Sequence, residues 1–135
     1  MKKPSTAIKL RHVSFYVQDI TRSLNFYKGV LGMSIYYAPN EHNVYLSNGD
    51  DVIALHSANQ LRPFGPPKAI GLDHIGFFLP DAQSLMAWYV YLRETDAGYT
   101  LSSVLKHGDG CEGFYVADPD GNSIEFTTVP KSLIP

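Results

Sequence analysis

A single cysteine, Cys111, in 135 residues excludes an intrachain disulfide, which fits a reducing cytoplasm. A dominant charge sign is also missing. Lys and Arg number 11 against 13 Asp and Glu, for a net charge of -2, so there is no basic footprint for nucleic acid or an anionic membrane. No apolar run is long enough to span a bilayer. Lys2 and Lys3 are followed by no hydrophobic stretch of the kind a secretory leader needs. The polar bias of a disordered chain is absent too, with 44% hydrophobic and 18% charged residues. These exclusions leave a soluble, cytoplasmic globular protein with room for one ordinary domain or two very small modules sharing a core. Aromatics are in surplus, with nine Tyr and seven Phe. Many belong to the core, but an apolar body with a polar tip also suits the wall of a small-molecule pocket.

The chain repeats itself at an offset of 62 residues. His12-Val13-Ser14-Phe15-Tyr16-Val17-Gln18-Asp19 then lies over His74-Ile75-Gly76-Phe77-Phe78-Leu79-Pro80-Asp81. Further on, Leu24 meets Met86, Phe26 meets Trp88 and Tyr27 meets Tyr89. So many coincidences at one offset point to two related modules. Each opens with an alternating strand, and Asp19 and Asp81 then read as helix N-caps. Ile20, Leu24, Tyr27 and Leu31 predict the first helix, which Gly29 and Gly32 end. Leu85, Trp88, Tyr89 and Leu92 predict the second, which Gly98 ends.

Short strands complete each module: Met33–Tyr37, Asn43–Leu46 and Val52–Leu55 in the first, Leu101–Leu105, Gly113–Ala117 and Ser123–Thr128 in the second. Asn48-Gly49 predicts a tight hairpin with two positive φ angles. Asp118-Pro119-Asp120-Gly121-Asn122 is the matching turn. The extended segment Arg62-Pro63-Phe64-Gly65-Pro66-Pro67 reads as a connection. The expectation is therefore one domain over 1–135, with module one at 8–58, a linker at 59–69 and module two at 70–129.

His12 and His74 occupy the same point of the repeat, and approximate two-fold packing of the modules brings such positions together. Glu125 stands in the apolar strand Ser123–Thr128, where a carboxylate is costly unless a cation compensates its desolvation. Two His and one carboxylate leave coordination positions open, as a catalytic divalent metal requires.

The segments HVSFYVQD…SLNFYKGVLGM and LDHIGFFLPD…GFYVADPDGNSIEF resemble the vicinal oxygen chelate superfamily, which includes glyoxalases, bleomycin-resistance proteins, fosfomycin-resistance transferases and extradiol dioxygenases. The resemblance covers almost the whole chain. It implies an α+β fold of two βαβββ modules in tandem forming a curved mixed-sheet cup, commonly as a homodimer. It assigns His12, His74 and Glu125 as metal ligands. Fe(II) is the first choice of metal, and Mn, Zn and Ni are accepted by the same donors.

Glyoxalase-type sites add a carboxylate at the end of the first module's last strand. Here Val52-Ile53-Ala54-Leu55-His56 has none, and aligning the hairpin turns puts Ile53 over Glu125 and His56 on the opposite parity. Extradiol-type sites carry a Tyr ten residues before the ligand Glu, as Tyr115 does, and a His a little upstream, as His107 is. Such a His hydrogen-bonds dioxygen or a substrate oxygen, and imidazoles titrate near neutrality. A further His before the second ligand His is replaced at about that place by Asn59 and Gln60. Phosphonate-binding thiol transferases need clustered cations, for which Lys106 and Lys131 are the candidates.

The resulting expectation is a metal-dependent enzyme acting on a small oxygen-chelating substrate, first an extradiol-like dioxygenase with His107 and Tyr115 as catalytic groups. A glyoxalase-type lyase or isomerase and a fosfomycin-type thiol transferase are the alternatives within enzymes. A non-catalytic drug- or metabolite-binding protein is the alternative outside them.

Overall fold

The computed structural model describes residues 10, 12–58, 72, 74–95, 99–107 and 110–128. The predicted linker at 59–69 and the predicted helix stop at Gly98 lie outside these residues. The chain divides into two compact units, residues 1–61 and 62–135.

In the first unit β1 (His12–Val17) leads into α1 (Ile20–Leu24), which continues as a π-helical segment, Asn25–Val30. Strands β2 (Ser34–Asn40), β3 (Asn43–Ser47) and β4 (Val52–Ser57) follow. The Asp19 carboxylate caps α1 by accepting the Arg22 N–H at 3.0 Å. The widening to π geometry, with the Leu31 N–H donating to the Phe26 carbonyl at 2.9 Å, was not legible from helical spacing. It lets the adjacent Phe26 and Tyr27 both bury fully.

The sheet order is β1-β4-β3-β2, with β1 and β4 parallel. Its register places Phe15, Val17, Val44, Leu46, Ile53 and Leu55 on one buried face, where Phe15 stacks on Tyr27. His12, Ser14, Tyr16, Asn43, Tyr45, Ala54 and His56 occupy the other face. The predicted two-residue hairpin at Asn48-Gly49 is instead a longer loop. Only Gly49 has positive φ, 126°, while Asp51 Oδ1 accepts the Asn48 N–H at 2.7 Å and Ser47 Oγ accepts the Gly49 N–H at 2.9 Å. Those side chains satisfy the backbone that a type I′ turn would otherwise have paired.

The second unit has the same plan. Strand β5 (His74–Leu79) precedes α2 (Ala82–Glu94), capped by Asp81 Oδ1 accepting the Ser84 N–H at 2.7 Å. That contact holds the Asp81 carboxyl below the ordinary range. Strands β6 (Leu105–Lys106), β7 (Glu112–Ala117) and β8 (Ser123–Thr128) then form a sheet in the order β5-β8-β7-β6, with β5 and β8 parallel. The buried Phe114 and Phe126 rings stack at 5.1 Å, and Phe77 and Trp88 pack on Phe126. The predicted strand Leu101–Leu105 shrinks to an isolated bridge at Leu101 and the two-residue β6. Ser102 Oγ accepts the Tyr115 N–H at 2.9 Å, so a hydroxyl replaces the carbonyl of a ladder. Two sheets of four strands with three helical segments make an α+β fold of βαβββ units, as predicted. No helix among the described residues is long and apolar enough to cross a membrane.

The β7–β8 turn is built on Asp118, which is buried. Its Oδ1 accepts the N–H groups of Asp120 and Asn122 at 2.9 and 2.8 Å, and its Oδ2 accepts the Asn122 side chain at 2.8 Å. Gly121, at φ 84°, completes the turn. Asp118→Ala strands these donors, so it is expected to cost about 2–3 kcal/mol. Urea denaturation will measure it, with Asp118→Asn losing less because one acceptor oxygen remains.

Candidate functional site

The parallel register of β5 and β8 aligns His74 with Ser123 and Gly76 with Glu125. The antiparallel register of β7 and β8 sets Tyr115 opposite Glu125 and Gly113 opposite Thr127. His74, Glu125, Tyr115 and the two glycines therefore share one face of the second sheet, away from the Phe114–Phe126 stack. Glu125 is the centre of the cluster. Its Oε2 lies 3.2 Å from His74 Nε2, and its Oε1 lies 2.9 Å from His107 Nε2. The carboxylate is 12% exposed, which in an apolar strand calls for positively polarised partners. Tyr115 packs edge-on against the His74 ring at 5.3 Å, fixing its plane. His107 is held by its own backbone, whose N–H donates to the Cys111 carbonyl at 2.8 Å. Cys111 is itself buried, which does not suit a reactive thiol.

His107 Nε2 is buried and makes no hydrogen bond, although Glu125 Oε1 is only 2.9 Å away. The oxygen stands within reach but off the direction a hydrogen bond requires. Among the described residues no three His, Cys, Asp or Glu side chains already form a metal-holding group. The two imidazoles face different oxygens of Glu125 rather than one point. The donor set nonetheless fits a divalent ion. The His74 imidazole beside a poorly solvated carboxylate is what such a cation draws together, and the buried His107 nitrogen stands next to that pair. Separations near 3 Å are also those of adjacent ligands on bonds of about 2.1 Å.

Sequence reasoning missed the role of glycine here. A Cβ on Gly113 would lie 2.9 Å from the Phe126 carbonyl oxygen, 3.0 Å from His107 Nε2 and 3.1 Å from Glu125 Oε1. A Cβ on Gly76 would meet only Glu125 Oε2, at 3.7 Å. The signal available was Gly113, a small residue in a strand that otherwise favours large ones.

His12 lies in the first unit, at the start of β1, with Nε2 2.8 Å from Ser14 Oγ and its ring edge-on to Tyr45 at 6.2 Å. Two sequence expectations are corrected in this unit. Gly76 corresponds to Ser14 under the repeat, and Ser14 pairs with Ala54, so Ala54 and not Ile53 occupies the place of Glu125. The carboxylate is missing either way. His56 pairs with Tyr16 and lies on the same face as Ala54 and His12, not the opposite one. Burial, and then the His12 imidazole, hold His56 below its ordinary pKa. Lys106 is also reassigned. It pairs with Glu112 while its neighbour Leu105 pairs with Gly113, so it is set on the face opposite Glu125. Lys131 lies outside the described residues.

Residues 9–126 match the family model of the Glyoxalase/Bleomycin resistance protein/Dioxygenase superfamily, and the chain belongs to that family. It is 28% identical over 120 residues to a catechol-2,3-dioxygenase of Bacillus subtilis, covering 86% of this chain but only 40% of that protein. It is 30% identical over 118 residues to the glutathione transferase FosA of Serratia marcescens, covering 86% of this chain and 77% of that one. The fold matches a lactoylglutathione lyase from Agrobacterium tumefaciens with a TM-score of 0.74 at 20% identity, over 98% of this chain and 100% of that one.

Proposed function

We propose that the chain is a divalent-metal enzyme that opens the ring of a catechol-type diol with dioxygen. One observation carries this reading: a third imidazole, His107, holds a buried Nε2 that makes no hydrogen bond only 2.9 Å from the Glu125 carboxylate. In this reading His74 and Glu125 would hold the metal, with His12, the counterpart of His74 under the repeat, as the third ligand. Fe(II) is the preferred ion, and when bound it would supply Lewis acidity and open coordination positions beside these residues. His107 offers its ring to a reacting oxygen, while Tyr115 keeps the His74 plane fixed and presents a hydroxyl. Overall, the carbon–carbon bond beside the diol breaks, both oxygen atoms enter the product and no external reductant is used. The catechol-2,3-dioxygenase of Bacillus subtilis supports this assignment as a relative, over the part of its length that the chain matches.

A thiol-transferase reading has support from the fuller coverage of FosA. It is disfavoured by the second unit's described cations. Lys106 is on the wrong face, and Arg93 lies on α2 over the Tyr89 ring.

An oxygen electrode will decide between these. Fe(II)-loaded protein is expected to consume one dioxygen per catechol, and His107→Gln to lower kcat by about 100-fold or more at unchanged iron content. Thiol addition to a phosphonate epoxide without oxygen uptake would instead establish the transferase.

A further inference from the structure

The edge strand of the first sheet, β2, is out of step with its neighbour. Ile35 pairs with Leu46 but Tyr37 with Tyr45, so Tyr36 is an extra residue, the mark of a β-bulge. The insertion moves Tyr36 off the position opposite Tyr45 and toward Ser47, while Tyr37 takes its place. Both rings stay against Tyr45, at 6.2 and 5.5 Å, where strict alternation would send one of them to the other face. Tyr45 also holds the His12 ring edge-on at 6.2 Å.

A cavity of about 480 Å³ opens at the Ser47 end of this sheet, lined by His12, Tyr36, Ser47, Gly49 and Val52. All five residues belong to the first unit, and the β1–β4 register sets His12 beside Val52. The volume suits a small molecule. Tyr36 is 58% exposed, so most of its ring is available to a ligand. Its hydroxyl has no hydrogen-bond partner among the described residues. Ser47 Oγ accepts the Gly49 N–H at 2.9 Å, which leaves its O–H to donate. A Cβ on Gly49 would meet nothing within 4 Å, so the space is open on that side.

None of the five is Lys, Arg, Asp or Glu, so an ion would lose water here without gaining a counter-charge. Asp50 and Asp51 follow Gly49 and repel an anion further. Two rings, one aliphatic side chain and two hydroxyls suit an uncharged aromatic ring that carries a hydroxyl of its own. We infer that this cavity is a binding site for a small, uncharged, hydroxylated aromatic molecule, and that Tyr36, displaced by the bulge, is the residue that selects it. The site is built within the first unit and stands apart from the ring-opening reading.

Phenol is the probe, added to the full chain and followed by proton–nitrogen NMR. It is expected to shift the backbone signals of Ser47, Gly49 and Val52 saturably. Benzoate and benzylammonium are expected to bind about 10-fold more weakly or not at all. Tyr36→Ala removes the ring and should weaken phenol binding about 10-fold. Tyr36→Phe removes only the hydroxyl and should weaken it about 3-fold. Both variants should fold, because Tyr36 is exposed on an edge strand. Shifts that miss these three residues, benzoate binding as tight as that of phenol, or undiminished phenol binding by Tyr36→Ala would overturn the inference. A chain that binds phenol here and consumes no dioxygen with catechol refutes only the ring-opening reading. One that opens catechol yet binds phenol equally well after Tyr36→Ala refutes only this site.

Discussion

Glu125→Ala is expected to purify with less than about a tenth of a metal equivalent and to lose ring-opening activity entirely. The carboxylate sits between two imidazole nitrogens at 3.2 and 2.9 Å and is the only negative charge of the cluster among the described residues. Loss of a mere outer-shell partner already weakens metal sites by about 10–100-fold, and loss of the anionic ligand itself goes further. The fold should survive, because the truncated side chain leaves the β7–β8 ladder and the Phe114–Phe126 stack untouched. Elemental mass spectrometry beside circular dichroism separates the two effects. One full metal equivalent in a folded Glu125→Ala protein would remove Glu125 from the site, and the proposed function with it.

The second large effect is expected at a residue with no side chain. Gly113→Ala puts a methyl group 2.9 Å from the Phe126 backbone oxygen, which the ladder prevents from moving. The remaining room must come from His107 and Glu125, at 3.0 and 3.1 Å. Overpacking of this kind costs about 1–3 kcal/mol, and here it also drives apart the two groups on which the proposed chemistry depends. Gly113→Ala should therefore lower the melting temperature and reduce metal uptake together. Gly76→Ala, whose methyl would make an ordinary 3.7 Å contact with the same carboxylate, should do neither. Equal metal content in the two variants would show that the close packing at Gly113 does not shape the site.

The repeat was legible because the 62-residue offset preserves residue size as well as polarity through the first strand and helix of each unit. Glu125 was legible because an acid in an apolar strand contradicts its setting. His107 was legible only through spacing, and the structure supplies its contact with Glu125. The face of His56 was not legible. Reading Asn48-Gly49 as a two-residue turn shifted β4 by one position, and one position exchanges the faces of a strand. What decides the face is the parallel pairing of β4 with β1, a contact between distant segments that leaves no periodic trace. The rewidening of the first helix to π geometry and the interception of β6 by Ser102 were hidden for a related reason. Each depends on which backbone group finds a partner, not on the pattern of polarity.

The parallel pairing of first and last strands has a kinetic meaning. In each unit the closing strand returns to the opening one, so β5 and β8 are neighbours in the sheet although α2, β6 and β7 separate them in the sequence. Contacts of such sequence separation form late and slowly. His74 and Glu125 are joined by that last step, which makes their encounter a report on completed folding. A partly folded second unit would already hold its hairpin and yet present only half of the cluster. Metal capture during refolding should accordingly lag behind the recovery of secondary structure, and the ion would lock a topology that the chain has first to close on its own.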